Sequence, residues 1–245
     1  MRQDMKPSMK PLLRSFGMFI RQISKDSMLI VVCIAPILAA FFFHFGIPII
    51  EGLLCEFFRK TTVLTPYNLL FDLFLSILTP YMFCFASAML MLTEYDEGMT
   101  SYLAVTPIGK KGYILSRLLT PAVISFFASS LLLLYFALTT WAFMMIIMVC
   151  LLTSLTSIAV ALLVFSISHN RVEGMAMAKL SGLMMLGLPV PFFLLSNVQY
   201  IFAFLPSFWI AKLGMEQNVL YFIPALLTSL TWLWILYRKF ERKLT

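Results

Sequence analysis

Long apolar stretches alternate with short polar ones along the whole chain, and this alternation predicts membrane-spanning helices. The first uncharged run, between Asp26 and Glu51, is 24 residues long. A helix of that length rises about 1.5 Å per residue and can cross the ~30 Å hydrocarbon core of a bilayer. An uncharged run from Leu118 to Ser168 is too long for one crossing, so we place a turn at Thr139–Trp141. The pattern predicts six spans, at about residues 27–50, 69–93, 113–138, 141–167, 180–196 and 219–237.

Two of these spans contain features that depart from a plain apolar helix. Pro189 and Pro191 argue against a straight fifth helix, because proline removes a backbone hydrogen bond. We expect this span to end near Ser196 and a short re-entrant or interfacial piece to follow through Pro206–Trp209. Asp72, near the outer end of the second span, either lines a path for ions or substrate or is a solvated end group.

The segment before the first span has the pattern of a helix that lies on a membrane. Over residues 12–25, an apolar stripe that includes Phe16 and Phe19 faces away from Arg14 and Arg21. An apolar stripe opposite a basic face is typical of a helix at the surface of an anionic bilayer. The alternative is an amphipathic helix packed on a protein neighbour.

Composition places the chain among polytopic, all-α integral membrane proteins. Of its 245 residues 61% are hydrophobic and 12% are charged, whereas soluble domains are about 45–50% apolar and about a quarter charged. The net charge of +7 comes from basic residues beside membrane segments, so nucleic acid is not an expected partner. The cysteines do not have the spacing of a disulfide framework or a metal site.

The distribution of lysine and arginine predicts the orientation of the chain. Of the 18 lysines and arginines, fifteen lie near the two termini or in the loops after the second and fourth spans. The opposite side has three, Arg59, Lys60 and Lys212. Because cytoplasmic loops carry the excess of positive charge, we expect both termini and the loop Glu94–Gly112 to be cytoplasmic.

The sequence contains no visible means of obtaining energy. The phosphate-binding pattern GxxxxGK[ST] and the hydrolase patterns HExxH and GxSxG are absent. No ionisable residue is predicted at the middle of the membrane, where proton- or ion-driven carriers keep acids or bases. We therefore expect no enzymatic activity and no cofactor, and if the chain moves a substrate, the energy must come from another protein.

The loop Glu94–Gly112 is the place where such a partner would dock. Its acids, Glu94, Asp96 and Glu97, are suited to the positive end of a short helix. An apolar patch and a Thr-Pro stop follow; the residues are Leu103, Val105, Thr106 and Pro107. The alternative is a plain solvated connector.

In this loop the chain resembles the membrane subunits of ABC-2 type transporters, the six-span permeases of many bacterial exporters. Their loop commonly has an acid four and two residues before a glycine, here Glu94, Asp96 and Gly98, and Thr-Pro nine residues past that glycine, here Thr106-Pro107. Met99 stands where the family usually has threonine. The resemblance extends to the N-terminal helix with its Lys25-Asp26 exit, the turn of Asn170, Arg171, Val172, Glu173 and Gly174, and the segment Leu205–Trp209.

The resemblance implies a permease in the bacterial cell membrane that pairs with a second permease subunit, identical or related, and binds two soluble ABC ATPase subunits. Glu97–Pro107 would then be the coupling helix, and Asn170, Arg171, Glu173 and Gly174 would form a second cytoplasmic contact. We also expect Arg14 and Arg21 to face Glu94 or Glu97. By analogy the direction is export, of a hydrophobic compound, drug, lipid or peptide.

Two other functions remain open from the sequence. One is a six-span secondary carrier or channel, which would transport without ATP. The other is a membrane immunity or scaffold protein that binds a peptide without moving it.

Overall fold

The computed structural model describes residues 21 and 24 and the ranges 26–98, 115–194 and 196–244. Within these ranges the chain is helical and has no strand. The helices are α1 (Ser27–Phe58), α2 (Asn68–Asp96), α3 (Thr120–Phe136), α4 (Phe143–Ile167), α5 (Arg171–Ser181), α6 (Val190–Phe193), α7 (Pro206–Glu216) and α8 (Phe222–Leu244). Short 3₁₀ or π turns adjoin several of them, at Thr65–Tyr67, Leu115–Leu119, Gly182–Met185, Asn197–Phe204 and Val219–Tyr221.

Five helical segments among the described residues are long and apolar enough to cross a membrane. They are Ser27–Phe58, Thr65–Asp96, Arg117–Phe136, Phe143–Ile167 and Val219–Lys243. The chain is therefore an all-α integral membrane protein, as the composition predicts. The turn expected at Thr139–Trp141 is present, since α3 ends at Phe136 and α4 begins at Phe143.

Helices α2 and α4 form the centre of the bundle. In their most apolar 18-residue stretches 56% and 67% of the residues are buried, against 17% in α1 and in α8. Small residues let the two central helices approach closely, and Ala86, Ala88, Ala159 and Ala161 are all at most 1% exposed. The outer helices α1 and α8 present most of their apolar surface outwards, where a bilayer would cover it.

Helix α1 extends beyond its predicted end at Ile50. It continues to Phe58, with a π turn at Phe42–Gly46, and Arg59 ends it in the left-handed conformation at φ 51°. Glu51 was expected in a loop but lies inside this helix. Its carboxylate accepts hydrogen bonds from the backbone N–H groups of Val63 and Leu64, at 2.9 and 2.6 Å. The acid therefore fixes the returning loop from within the helix.

The predicted fifth span, residues 180–196, is not one continuous helix. After α5 come the 3₁₀ turn Gly182–Met185, an irregular turn and the four-residue α6. Pro189 and Pro191 lie at this break, where their missing N–H groups prevent a regular helix.

The segment from Arg171 to Phe193 nevertheless runs along the full length of α2. Its start contacts Asp96 through a backbone hydrogen bond of 3.0 Å. Farther along, the Tyr81 hydroxyl donates to the carbonyl of Ala178 at 2.8 Å. At its end the ring of Phe193 stacks on Tyr67 with the centroids 5.3 Å apart. This path is about 43 Å long at 1.5 Å per residue of α2.

A short 3₁₀ segment and helix α7 follow, where the sequence predicts a re-entrant or interfacial piece. The 3₁₀ segment is Asn197–Phe204, and the indole of Trp232, ten residues into α8, donates to the carbonyl of Phe204 at 2.9 Å. Helix α7 then returns the chain towards the turn before α4. A Cβ built on Gly214 would lie 3.3 Å from the Trp141 ring.

Candidate functional site

Charged side chains from most of the long helices meet at one end of the bundle, which we call the charged end. It contains the starts of α1 and α5 and the ends of α2, α4 and α8. Its members are Asp26, Glu94, Asp96, Arg117, Arg171, Glu173 and Lys243. The end that contains Asp72, Trp141 and the loop after α1 is called the opposite end.

The acids of the predicted docking loop lie at the end of α2. Glu94 and Asp96 occupy its last turn, and Gly98 follows with φ 70°, a left-handed conformation that favours glycine. These acids were expected at the start of a separate helix, where they would suit its dipole. At the carboxyl end of α2 the dipole opposes them, so they require positive partners.

Glu94 obtains that partner from Arg117. The two side chains form an ion pair and are 3% and 7% exposed. The carbonyl of Arg117 also accepts a hydrogen bond from the hydroxyl of Ser87 on α2. A buried pair of this kind depends on mutual neutralisation, because either charge alone would be costly to bury. It fastens the start of the third span to the end of the second.

Asp96 is compensated by the start of α5. Its carboxylate accepts from the backbone N–H of Arg171 at 3.0 Å. Arg171 is the first residue of α5, where the N–H groups have no partner within the helix and the dipole is positive. The negative end of one helix thus meets the positive end of another.

Arg171 also connects α5 to the first span. Its guanidinium forms an ion pair with Asp26, and Asp26 caps α1 by accepting from the N–H of Met28 at 3.0 Å. Partial burial opposes ionisation of Asp26, but the hydrogen bond and the charge of Arg171 outweigh it and lower the pKa of the carboxyl. This junction joins α1, α2 and α5.

The second predicted contact is organised as a helix cap. The Asn170 side chain accepts from the N–H of Glu173 at 2.8 Å, and the Glu173 carboxylate accepts from the N–H of His169 at 2.6 Å. This pattern is a variant of the capping box indicated by the spacing Asn-x-x-Glu, in which the glutamate bonds to the N–H one residue before the cap. Gly174 is buried against α2, and a Cβ there would lie 2.3 Å from a methyl of Leu92.

At the opposite end, Asp72 is neither a solvated end group nor the wall of a visible path. It is 1% exposed and accepts from the N–H groups of Leu138 and Thr139, at 2.8 and 3.0 Å. The hydroxyl of Thr139 and the indole N–H of Trp141, at 3.0 Å, also donate to it. Asp72 therefore holds the turn between α3 and α4.

Several predicted site residues lie outside the described residues, namely Arg14, Phe16, Phe19, Leu103, Val105, Thr106 and Pro107. The predicted pairing of Arg14 with the loop acids remains a prediction. Arg21 is described and exposed, as are Asp96 and Glu97. The sequence analysis missed the roles of Arg117, Asp26 and Lys243, which it treated only as charges near a membrane.

The charged end joins neighbouring helices through ion pairs and hydrogen bonds. Within the described ranges no group of three or more histidine, cysteine or acidic side chains could hold a metal ion. Ion pairs instead connect the end of α2 to the start of α3 and the start of α5 to the start of α1, and the acids Asp96 and Glu97 at the end of α2 are exposed.

Comparison with known proteins agrees with this architecture. A family model described as "Fluoroquinolones export permease protein Rv2686c-like" matches residues 19–237. Two relatives, the fluoroquinolones export permease proteins MT2760 and Rv2686c of Mycobacterium tuberculosis strains CDC 1551 / Oshkosh and H37Rv, are each 24% identical over 234 residues, which is 91% of either chain. No solved structure matches the chain. With this match over most of its length, and in keeping with its resemblance to ABC-2 type permeases, the chain belongs to the Rv2686c-like family of export permease proteins.

Proposed function

We propose that this protein is the membrane subunit of an ATP-driven exporter and that a soluble ABC ATPase docks on its charged end. The observation that carries the proposal is the pair of ionic junctions there. Glu94 joins α2 to α3, and Arg171 joins α5 to α1 and α2. A force applied to residues 97–114 would thereby reach four helices at once, rather than the two that the loop connects.

The number of crossings supports an orientation with both termini in the cytoplasm. The broken segment Arg171–Phe193 runs beside α2 from Asp96 to Tyr67, so we count it as a sixth crossing alongside the five apolar helices. Six crossings put both termini on one side. The excess of lysine and arginine on that side favours the cytoplasm, where an ATPase has access to ATP.

A complete exporter needs more than this chain. We propose that it pairs with a second permease subunit, identical or related, and that each permease binds one ATPase. The exposed apolar faces of α1 and α8 leave surface for such a pairing within the membrane, and docking on the charged end would give each subunit one ATPase.

The substrate class to test first is the fluoroquinolones, which the relatives' names indicate. A groove of about 280 Å³ lies between α3 and α4 and is lined by apolar side chains, with Phe126, Phe127 and Leu151 among them. Its volume is close to the lower limit for small-molecule sites, which are mostly apolar. We propose that a hydrophobic substrate contacts this groove. Replacing Val123, a half-exposed residue of its wall, by tryptophan should then reduce drug export while the complex remains assembled.

The proposal is tested by purifying the permease from its native membranes and identifying a soluble P-loop ATPase that is retained with it. We expect the pair to copurify in mild detergent and to export a fluoroquinolone from proteoliposomes only when ATP is supplied. Arg171→Glu should break the ion pair with Asp26 and place a negative charge beside Asp96, which accepts from the backbone N–H of this residue, and so weaken the complex. Lys239→Glu is the matched control, because Lys239 is an exposed basic residue near the charged end, on α8. This change should leave the complex intact.

Two outcomes would contradict the proposal. Transport driven by an ion gradient without ATP would identify a secondary carrier. Stable peptide binding that is indifferent to the ATPase, without transport, would identify an immunity or scaffold protein.

A further inference from the structure

Lys243, three residues from the C-terminus, is bonded to the end of a different helix. Its ammonium group donates to the carbonyls of Phe165, at 2.6 Å, and Ser168. These carbonyls belong to the last turn and the C-cap of α4, where helices leave acceptors without a partner of their own. The last span and the fourth span are therefore joined at the charged end.

The same ammonium group contacts the base of the proposed docking loop. It lies 4.6 Å from the ring centroid of Tyr95 and 4.3 Å from that of Phe165, within the range of cation–π attraction. Asp96 and Glu173 attract it as well. Tyr95 is in the last turn of α2, three residues before Gly98 ends the helix. Lys243 is thus in contact with the part of α2 that the loop leaves.

The aromatic groups beneath Lys243 are packed tightly enough to transmit a displacement. Phe165 and Phe240 are both 0% exposed, and their ring centroids are 5.0 Å apart. The Tyr95 ring meets Phe165 edge-on at 6.0 Å. A shift of the Tyr95 ring would therefore displace Phe165 on α4 and, through it, Phe240 on α8.

We propose that Lys243 is a positioning residue that transmits movement of the docking loop to the fourth and last spans. This inference rests on the proposed function, because it assumes that an ATPase moves the loop. It completes the network of the charged end, since the ionic junctions reach α1, α3 and α5 but neither α4 nor α8. A lysine that only capped α4 would affect stability and leave coupling unchanged.

The test uses the complex of permease and ATPase in proteoliposomes and measures fluoroquinolone export per ATP hydrolysed. We expect Lys243→Gln to lower this ratio about fivefold, as expected for loss of a coupling contact, and Lys243→Arg to retain most of it. Lys239→Gln, an exposed neighbour on α8, is the control and should match the wild type. Unfolding temperature in detergent is measured for every variant, so that a loss of fold is separated from a loss of coupling.

Tyr95→Leu provides a second variant that leaves the helix cap in place. It should reproduce the loss of coupling, and combining it with Lys243→Gln should add little, because both remove one contact. The inference is overturned if Lys243→Gln keeps the wild-type ratio, or if Tyr95→Leu does so while Lys243→Gln changes only the unfolding temperature. If the wild-type complex itself shows no ATP-dependent export, the proposed function fails, and this inference fails with it.

Discussion

The two ends of the bundle use acidic side chains in different ways. At the opposite end, Asp72 and Glu51 accept hydrogen bonds from backbone N–H groups of the turns that join neighbouring helices. At the charged end, Glu94 and Asp26 pair with arginines on other helices. Backbone N–H groups cannot move away from a turn, whereas arginine side chains can change partners. Asp96 and Asp26 at the charged end also accept from backbone N–H groups, so the difference lies in the added ion pairs. We therefore expect the opposite end to stay fixed and the ion pairs of the charged end to be the contacts that rearrange.

This difference agrees with the positions of the two ends along the proposed path of force. A turn such as Leu138–Trp141 must keep its shape while the helices tilt, and a buried carboxylate with several donors achieves this. Ion pairs between helices are costly to break when buried and less costly when partly exposed. Glu94–Arg117 is buried, and Asp26–Arg171 is 26% and 32% exposed. The second junction is therefore the easier one to exchange.

The largest effect on stability should come from breaking the buried pair. Arg117→Met leaves Glu94 buried without its guanidinium, and we expect a loss of about 3–5 kcal/mol in the free energy of unfolding. Adding Glu94→Gln should restore much of that loss, because it removes the uncompensated charge. Denaturant unfolding in detergent, followed by tryptophan fluorescence, measures both. Equal stability of the single and double variants would show that Glu94 and Arg117 are not energetically coupled.

Removing the acid at the opposite end should be nearly as damaging but should have a different consequence. Asp72→Ala leaves the N–H groups of Leu138 and Thr139 without their acceptor, at a cost of about 3 kcal/mol. Export per folded molecule should be unchanged, since we expect the turn between α3 and α4 to keep its shape during transport. A selective loss of coupling without a loss of stability would remove the distinction between the ends.

A smaller effect is expected where the segment Arg171–Phe193 packs against α7. A Cβ at Gly187 would lie 2.5 Å from the backbone nitrogen of Phe208, so Gly187→Ala should destabilise the fold by about 2 kcal/mol through overpacking. Gly182→Ala is the matched control, because nothing lies within 4 Å of a Cβ there. Thermal unfolding of the two variants provides the measurement. Equal unfolding temperatures would show that the two elements do not approach this closely.

The smallest effect on stability should come from Asp26→Asn. Asparagine preserves the helix cap but removes the charge that faces Arg171, which at a partly exposed site is worth about 0.2–1 kcal/mol. Export per ATP hydrolysed should nevertheless fall, because the junction of α1 with α5 is weakened. Unchanged coupling would exclude this junction from the path of force.

The apolar pattern predicts most of the fold because membrane helices must satisfy their backbone internally. It places the turn before α4 and, through Pro189 and Pro191, the break in the fifth segment. It does not predict that α1 continues to Phe58, because Glu51 is polar and only the returning loop explains its place in a helix. The length of an apolar run therefore predicts the part of a helix that crosses the membrane, whereas the last turns of the helix depend on contacts with loops.

The candidate site could be predicted only in part. The sequence singles out Glu94, Asp96 and the turn Asn170–Gly174, which the structure brings together at the charged end, and their role in docking stays a prediction. The partners could not be read, because Glu94 and Arg117 are separated by a loop and Arg171 and Asp26 by 145 positions. The role of Lys243 depends on carbonyls of α4, which no pattern of side chains reveals.

Crosslinking at the two ends tests the central claim most directly. In a permease whose Cys33, Cys55, Cys84 and Cys150 are replaced, a single cysteine is introduced either at Glu97, exposed at the charged end, or at Phe57, 80% exposed at the opposite end. We expect a bifunctional reagent to join the ATPase to the cysteine at Glu97, with a yield that changes when ATP is added, and not to the one at Phe57. A complex that forms and is active but gives no adduct at Glu97, or gives one at Phe57, would contradict the account.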